Sequence, residues 1–482
     1  MGTRLRSGIL CTVLAGALVG AASAPADAAG PPVPRVLHVG EIAHQDIAPQ
    51  PGSEPDTLVE PDVAVSPLDP RIAVAAAHDG RFPDGGAVTI THAWTRDGGR
   101  TWHHAPVPGL TTAAGGRWPR ASDPVVAFGP DGTAYLSTLL VEIPGCASAV
   151  AVSRSDDGGR TFGAPVLVHS SATCAYSDDK NWLVVDTWPH SPHRGRLYQF
   201  WTAFLSDASG TVTGAPQVLR WSDDRGSTWS RTVAVTPSTD GSQGSQPMIQ
   251  PDGTVTDAYL DYGSAGFPES ERTGGQQGRG GLRAEAAGTA LLARTSRDGG
   301  ATWSGPVTVT TDVGPGPEGI RCCLPSATAD GSTGRLYAAW DSVQPELVLL
   351  STSTDGRHWS APVQVNRDAR AGRAHVNVDV AAHGGRVFVS YGTRDAGSSG
   401  GQYIQQRISS SYDAGAHFGP GIAVAPPSDT RYAAMAGGIF PGDYIGTAAA
   451  TGRVYAVWCR SSPPPSPSAT YHQTLYAAVL RP

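Results

Sequence analysis

Short runs of alternating apolar and polar residues recur along this chain, and turn-forming residues separate them. The run AVAVSRS ends at Ser155, and APVLV begins at Ala164, with a Gly-rich and Asp-rich turn between the two. A period of two is typical of β-strands that bury one face, and Gly, Asp and Ser favour tight turns. The pattern therefore predicts many short strands and few helices.

One turn motif occurs six times. The copies are TRDGGRTW, SDDGGRTF, SDDRGSTW, SRDGGATW, STDGRHW and SYDAGAHF, with their aspartates at Asp97, Asp157, Asp224, Asp298, Asp355 and Asp413. In each copy a hydroxyl and a carboxylate can bond nearby backbone N–H groups, while glycine supplies positive φ. We predict that these aspartates shape hairpin turns and take no part in catalysis.

The six copies resemble the Asp-box, or BNR repeat, of the sialidase-like β-propeller superfamily. Between copies the chain repeats an order of four strands, and the third strand leads into the motif. Seven first strands are predicted, at Val63–Val65, Pro124–Phe128, Trp182–Asp186, Pro247–Ile249, Pro325–Thr328, Val376–Val380 and Tyr444–Ala448. The last unit lacks a motif, so the segment VPRVLHVG near the N-terminus is expected to supply its fourth strand.

These features predict an all-β protein, a single β-propeller of four-stranded blades. We expect seven blades, with six as the alternative, and a ring closed by the N-terminal strand in the last blade. The stretches TGGQQGRGG from Thr273 and SSPPPSPS from Ser461 are expected to be loops.

The ends and the composition of the chain predict export. MGTRLRSG and the apolar segment after it have the form of a secretory leader, so residues 1–28 are interpreted as a signal peptide and 29–482 as the propeller. No later segment has the roughly 18 apolar residues of a membrane span. With a net charge of −7, nucleic acid is not an expected partner. We expect a secreted, extracellular monomer that binds a glycan or glycoprotein.

Five cysteines follow the predicted leader. In an oxidising compartment, Cys146 and Cys174 are expected to form a disulfide. The remaining cysteines leave either a vicinal Cys322–Cys323 pair or one free thiol, with the pairing of Cys459 open. Their spacing matches no zinc pattern.

Ionisable residues gather just before the predicted first strands, at the ends that converge on one face of a propeller. They include Glu60, Asp62, Arg120, Asp123, Asp178, Asp179, Lys180, Glu318, Arg321, His375 and Asp443. Propellers bind ligands at this face, although the same groups can also form a polar plug. Lys180 is the only lysine of the chain. Strand alternation places it on the same side as Asp178, so an ion pair of these two is the favoured interpretation.

The resemblance implies an exo-α-sialidase-like glycoside hydrolase with three roles. Tyr444 would be the nucleophile, Glu318 its base and Asp123 the acid/base. Arg321 would hold a substrate carboxylate, and Arg120, Arg394 and Arg431 are further candidates for the same role. Lys180, Asp179, His375, Asp443 and Asp62 would also bind substrate.

Two alternatives remain open. One is a glycan-binding or protein-binding propeller without turnover, in which Tyr444 is buried in hydrogen bonds. The other is a lyase on uronic-acid glycans, in which His375 and a tyrosine move protons. No cofactor is expected, although a divalent cation among Asp62, Asp123, Asp178 and Asp443 is compatible with their oxygen ligands.

Overall fold

The computed structural model describes residues 1–2, 32–263, 289–314, 316–343, 347–395 and 402–482. The predicted leader, apart from its first two residues, and the stretch TGGQQGRGG lie outside this range. Within the described residues, no helix has the length and apolar character needed to cross a membrane.

Antiparallel β-strands make up almost all of the regular secondary structure of the described residues, as predicted, in groups of four that follow the chain. The first group is β2 (Asp62–Val65), β3 (Ala73–Arg81), β4 (Ala87–Thr95) and β5 (His103–Pro106). The second is β6 (Arg120–Phe128), β7 (Ala134–Val141), β8 (Ser148–Ser155) and β9 (Val166–Ser171). The third is β10 (Tyr176–Val185), β11 (Leu197–Ser206), β13 (Gln217–Ser222) and β14 (Val233–Ala234), with the short β12 (Val212–Gly214) beside β11.

Three further groups continue this order. They are β15 (Ser242–Ile249), β16 (Val255–Asp261), β17 (Ala290–Ser296) and β18 (Val307–Thr310); then β19 (Ser326–Ala329), β20 (Leu336–Asp341), β21 (Val348–Ser353) and β22 (Val363–Gln364); then β23 (Arg373–His383), β24 (Arg386–Asp395), β25 (Tyr403–Ser411) and β26 (Ile422–Ala423), with β27 (Ser428–Asp429) beside β25. Short 3-10 turns lie at Thr112–Ala114 and Thr430–Tyr432.

The last group takes a strand from the other end of the described chain. It contains β28 (Gly446–Ala450), β29 (Arg453–Ser461) and β30 (Gln473–Arg481), and β1 (Arg35–Ala43) pairs with β30. The predicted pairing of the N-terminal strand with the last unit is therefore confirmed. The SSPPPSPS stretch leads from β29 into the loop before β30, as expected.

Hydrophobic residues pack between successive groups. The first strands, which we call the inner strands, contact one another in the order β2, β6, β10, β15, β19, β23 and β28, and β28 also contacts β2. One apolar cluster joins Val74 of the first group to Leu136 of the second, and another joins Tyr455 of the last group to Val63 of the first. Each group thus buries its two faces against its neighbours.

The six motif aspartates form the predicted turns between the third and fourth strands of their groups. Asp157 is representative: its carboxylate accepts hydrogen bonds from the Ser155 hydroxyl, the backbone N–H groups of Arg160 and Thr161, and the Thr161 hydroxyl, at 2.7–3.0 Å. These donors lower the pKa of Asp157 to about 2. The turn role of these residues is confirmed.

The cysteine pairing follows one of the expected patterns. Cys146 bonds to Cys174, Cys322 bonds to its neighbour Cys323, and Cys459 is a buried free thiol. The vicinal pair lies in the segment just before β19, which is the first strand of the fifth group.

We expect Asp157→Ala to lower the free energy of unfolding by about 1–3 kcal/mol, because hydrogen bonds to a charged acceptor are stronger than neutral ones. Urea denaturation at pH 7 measures the change. Asp156→Ala is the matched control, since Asp156 is more than half exposed and forms surface ion pairs with Arg154 and Arg225, worth about 0–1 kcal/mol. Equal losses in the two variants would contradict the turn role.

The burial of one carboxyl, that of Asp257, should make the free energy of unfolding depend on pH. Asp257 in β16 is fully buried, its Oδ2 accepts from the Ser245 hydroxyl at 3.0 Å, and burial raises its pKa to about 8. The folded protein therefore keeps a proton that the unfolded chain releases above about pH 4. We expect this group's contribution to stability to be complete below pH 4 and to be lost as the pH rises towards 8.

Asp257→Asn tests this dependence, because the amide stays neutral. The difference in the free energy of unfolding between variant and parent should favour the variant increasingly from pH 5 to pH 8, by up to about 1.4 kcal/mol per pH unit. A difference that does not change with pH would show that Asp257 ionises normally in the fold.

Candidate functional site

Four inner strands contain a β-bulge near their first residues. The register shifts lie between Ser122 and Val125, between Asp179 and Trp182, between Gln243 and Gln246, and between Val376 and Asp379. One residue in each bulge has a left-handed backbone, with φ of 49° at Asp123, 45° at Lys180, 73° at Gly244 and 52° at Asn377. Bulges redirect side chains and recur beside binding sites.

Two further residues have the same backbone conformation at equivalent places. Glu60 has a φ of 54° and stands two residues before Asp62, and Gly442 has a φ of 108° and stands two residues before Tyr444. Both places match that of Lys180, the left-handed residue of the β10 bulge, which stands two residues before Trp182. Left-handed backbone is uncommon outside glycine and is concentrated at functional sites. Its repetition at one end of the inner strands marks this end as the candidate site.

Glu60, Asp123 and a histidine from β3 come together at this end. The Nε2 atom of His78 lies 2.9 Å from Glu60 Oε2 and 3.9 Å from Asp123 Oδ1. The Asp123 backbone N–H donates to the same Nε2 at 2.7 Å, and the Ser122 hydroxyl donates to Asp123 Oδ1 at 2.7 Å. Burial lowers the pKa of His78 to about 3, so its imidazole is neutral.

Asp443 brings a third carboxyl to this group, on the side that solvent reaches. Its backbone N–H donates to Glu60 Oε1 at 3.3 Å, and its Oδ2 lies 3.6 Å from Arg321 Nη2. The side chains of Asp443 and Arg321 are 13% and 29% exposed, whereas that of Glu60 is 5% exposed. We call Glu60, His78, Asp123 and Asp443 the carboxylate cluster. Its open side is at Asp443 and Arg321.

The pKa values of two members are raised towards neutral pH. Burial is the main cause for both Asp123 and Asp443, and the charge of Glu60 adds to it. Lys180 opposes the shift at both residues, and Arg321 opposes it at Asp443, so each pKa is raised only to about 6. The site can therefore hold a carboxylic acid and a carboxylate together slightly below pH 7.

Lys180 lies over an aromatic ring. Its Nζ is 3.5 Å from the ring centroid of Tyr444 and 4.6 Å from that of Trp182, and the side chain is buried. The expected ion pair with Asp178 is wrong, because Asp178 accepts from Ser148 and pairs with His169 at 2.7 Å. The left-handed backbone at Lys180 breaks the strand alternation on which that prediction depended.

The predicted nucleophile, Tyr444, is buried, whereas its predicted base, Glu318, is exposed. Tyr444 is 4% exposed, and its hydroxyl donates to the carbonyl of Pro124 at 3.2 Å. Burial and the nearby carboxylates raise the pKa of Tyr444 well above its usual value, Glu60 being the largest of these charges. Glu318 is exposed, and its backbone carbonyl accepts from Arg394 at 2.8 Å.

The other predicted binding residues are distributed over several places. Arg120 pairs with Asp84 at 2.6 Å and lies over the Phe82 ring. Asp179 accepts from Gln243 at 3.2 Å. Asp62 is deeper, where its carboxylate accepts from the backbone N–H of Val126 at 2.8 Å.

His375 lies outside the carboxylate cluster. It is buried, with its Nε2 3.2 Å from Asn366 Nδ2 and 3.5 Å from Asp368 Oδ1, and its ring faces the edge of Tyr391. Asn366 and Asp368 lie in the loop between β22 and β23, so these contacts hold His375 against the end of the fifth group. Arg431, at the surface near the end of the sixth group, pairs with Asp429 at 2.6 Å.

Two residues of the site were not predicted because they lie in a second strand, β3. His78 belongs to the carboxylate cluster, and Arg81 is a buried cation whose charge acts on His78 and which lies over the Phe440 ring. The sequence AVAAAHDGR contains a signal: three polar or charged residues and a glycine follow five small apolar residues in one strand. All nine residues of that strand are buried, so its charged end needs partners in the core.

A polar cavity of about 260 Å³ lies among the inner strands beyond the cluster. Asp62 and Asp379 line this cavity. The Ser326 hydroxyl donates a hydrogen bond to Asp379 Oδ1. Burial raises the pKa of both carboxyls to about 7. Of the four aspartates named as possible ligands of a divalent cation, Asp178 accepts from Ser148 and pairs with His169. Within the carboxylate cluster, the Nε2 lone pair of His78 already accepts the Asp123 N–H.

No family model matches the chain, and no curated protein matches it. Among solved structures, an α-L-arabinofuranosidase from Fusarium graminearum with an iminosugar inhibitor aligns with a TM-score of 0.50 at 12% identity, covering 93% of this chain and 98% of that chain. A polysaccharide lyase, an ulvan lyase, aligns with a TM-score of 0.51 at 10% identity, covering 91% and 94%. A leech intramolecular trans-sialidase aligns with a TM-score of 0.48 at 12% identity, covering 77% and 70%.

The arabinofuranosidase and the ulvan lyase show the fold. Both are β-propeller proteins, and each alignment covers more than nine tenths of this chain. The chain is therefore an all-β protein with the fold of β-propeller proteins that act on glycans. The identities are too low for these alignments to transfer an activity or a residue role.

We expect Lys180→Met to raise the pKa values of Asp123 and Asp443 further, because it removes the cation that favours their ionised forms while keeping a side chain of similar length. Carboxyl carbon chemical shifts of ¹³C-labelled aspartates, followed from pH 4 to pH 9, measure this change. Lys180→Arg keeps the charge and should leave both titrations close to those of the parent. Unchanged titrations in Lys180→Met would exclude an electrostatic role for Lys180.

Proposed function

We propose that the protein is a secreted glycoside hydrolase with a seven-bladed propeller. In this proposal the strand groups are the blades, and β1 closes the ring by completing the last one. The order of contacts among the inner strands supports it, since β28 contacts β2, as does the apolar cluster shared by the last and first groups. Two disulfides support an oxidising, extracellular environment.

The observation that carries the proposed chemistry is the pair of carboxyls Asp123 and Asp443 in the carboxylate cluster, of which Asp443 lies at the open side. Hydrolysis of a glycosidic bond needs a carboxylic acid to protonate the departing oxygen and a carboxylate to stabilise the positive charge at the anomeric carbon. Asp123 would be the acid, because Glu60 opposes its ionisation. Asp443 would be the carboxylate, because Arg321 favours its ionised form. A water molecule completes hydrolysis and restores the proton to Asp123.

The position of Arg321 indicates which substrates the proposed site would prefer. Its guanidinium lies at the open side, 29% exposed, and guanidinium groups bind sugar hydroxyls or a sugar carboxylate with directed N–H groups. Asp443 lies beside this guanidinium and already neutralises part of its charge. Arg321 would therefore interact with Asp443 and with the substrate at the same time. Neutral or singly acidic glycans fit this balance of charge.

The finer assignment, an exo-α-sialidase with a tyrosine nucleophile, has less support in the geometry. Such a tyrosine must lose its proton and reach the anomeric carbon. Around Tyr444 the neighbouring groups raise the pKa, the hydroxyl donates to a backbone carbonyl, and the ring is covered by Lys180. Our mechanism therefore assigns Tyr444 to the support of Lys180 and assigns the chemistry to Asp123 and Asp443.

A binding propeller without turnover is the second candidate. The observation that favours it is the same burial of Tyr444, together with the hydrogen bonds that join Asp123 to His78 and Ser122. The lyase alternative has less support, because His375 is held by Asn366 and Asp368 against the end of the fifth group.

We expect Asp123→Asn and Asp443→Asn each to lower kcat/KM by about 10²–10⁴-fold, the range for removal of a positioned acid or base. The assay is release of the fluorophore from α-sialosides, α-L-arabinofuranosides and glucuronides, since these cover one neutral and two acidic sugar classes. Tyr444→Phe is the control and should retain most of the activity. Circular dichroism and thermal unfolding establish that each variant is folded.

One result would contradict the roles given to Asp123 and Asp443, and another would contradict hydrolysis itself. A loss in Tyr444→Phe as large as that in Asp443→Asn, on sialosides alone, would support the tyrosine mechanism. Glycan-array binding by the parent, weakened by Asp443→Asn, with no hydrolysis of any substrate in the panel or of the bound glycan, would identify a binding protein.

A further inference from the structure

A second group of possible ligands, made of residues outside the carboxylate cluster, lies where the segment after β1 meets β5. It contains His44 and Asp46, which follow β1, and His104, which lies in β5. One ring nitrogen from each histidine and one carboxylate oxygen lie within 4.8 Å of one another. Neither the predicted turns nor the proposed hydrolysis uses these residues.

Both imidazoles direct Nε2 at the same carboxylate. His44 Nε2 lies 3.3 Å from Asp46 Oδ1, and His104 Nε2 lies 3.0 Å from Asp46 Oδ2. The ring centroids of His44 and His104 are 4.6 Å apart, and the rings are inclined by 71°. The His104 nitrogen is buried and has no hydrogen bond of acceptable angle within the described part of the chain. Its approach to Asp46 is therefore close in distance but does not have hydrogen-bond geometry.

These separations match those of ligands around one ion. Two ligand atoms at about 2.0–2.2 Å from a tetrahedral zinc ion lie about 3.3–3.5 Å apart, and the two nitrogen-to-oxygen distances here are close to that value. Two imidazoles and one carboxylate leave a fourth position for water. Imidazole nitrogen combined with carboxylate oxygen favours zinc-class ions over calcium or magnesium, which prefer oxygen alone.

A second carboxylate orients one of the imidazoles. The Nδ1 atom of His44 lies 3.2 Å from Glu41 Oε1, in hydrogen-bond geometry. A histidine that donates from Nδ1 to a carboxylate presents the lone pair of Nε2, which is the usual arrangement of a histidine metal ligand. The side chains of His44 and Asp46 are 50% and 44% exposed, so an ion in solution can reach the site.

We propose that His44, Asp46 and His104 bind a divalent zinc-class ion that ties the last strand group to the first. β1 pairs with β30 of the last group, whereas β5 belongs to the first group. An ion held by ligands from both sides would cross-link the N-terminal strand to the first group. Its effect would be to stabilise the fold, independently of any turnover at the carboxylate cluster.

Metal binding by the untagged full-length protein tests this proposal. After treatment with EDTA and removal of the chelator, the protein is equilibrated with ZnCl₂ and passed through a desalting column, and zinc per chain is measured by mass spectrometry. We expect about one zinc ion per chain. At a free zinc concentration of 100 times Kd, the melting temperature should rise by about 3 °C, whereas MgCl₂ should give no rise.

Variants locate the site. His104→Ala and Asp46→Asn should each lower the bound zinc at least fivefold and abolish the rise in melting temperature. His103→Ala is the matched control, because His103 is the neighbouring residue of β5, is exposed, and stacks on Trp94 instead. Circular dichroism of the metal-free variants establishes their folding. The proposal is overturned if the parent retains no zinc, or if His104→Ala retains as much zinc as His103→Ala.

Discussion

The candidate site depends on one backbone constraint, a left-handed residue near the start of the inner strands. In a regular strand, neighbouring side chains point to opposite faces. Few of them would then reach the shared end of the inner strands, where the candidate site lies. At Asp123 and Lys180 the bulge changes that direction. Left-handed backbone outside glycine costs about 1–3 kcal/mol per residue. At Asp123 the cost is offset by a hydrogen bond from its own N–H to His78, which also fixes the lone pair of the imidazole.

Charge balance is the second requirement of this site. Glu60, Asp123 and Asp443 are three carboxyls with little solvent, so without cations they would be protonated or the region would be destabilised. Lys180 and Arg81, which are buried, and Arg321, which lies at the open side, supply those cations. Among the residues that the structure describes, no carboxylate accepts a hydrogen bond from Lys180, whose ammonium instead lies on the Tyr444 ring, where the π face stabilises its charge. Removing the ring would thus change the electrostatics of residues that it does not touch.

Much of the fold could be predicted from sequence because its signals are local. The turn around Asp157 needs only a hydroxyl, a carboxylate and a glycine in order, and the inner strands could be located from short apolar runs. The pairing of β1 with β30 followed from one unit that lacked a strand. The site was less predictable: alternation placed Lys180 beside Asp178, because no sequence signal marks a bulge at a lysine. His78 was missed because it reaches the cluster from β3, and convergence of that kind depends on how strands are arranged in space.

The pairing of β1 with β30 also has a consequence for the order of folding. Each of the first six groups is built from consecutive strands, so it can form from one continuous segment of the chain. The last group is different, since β30 must find a strand from the opposite end of the described chain, and closing so long a loop is entropically unfavourable. Until then, an edge of β30 stays open to pairing with another chain. Assembly of this protein is therefore most vulnerable to aggregation at its final step, when all other groups are already folded.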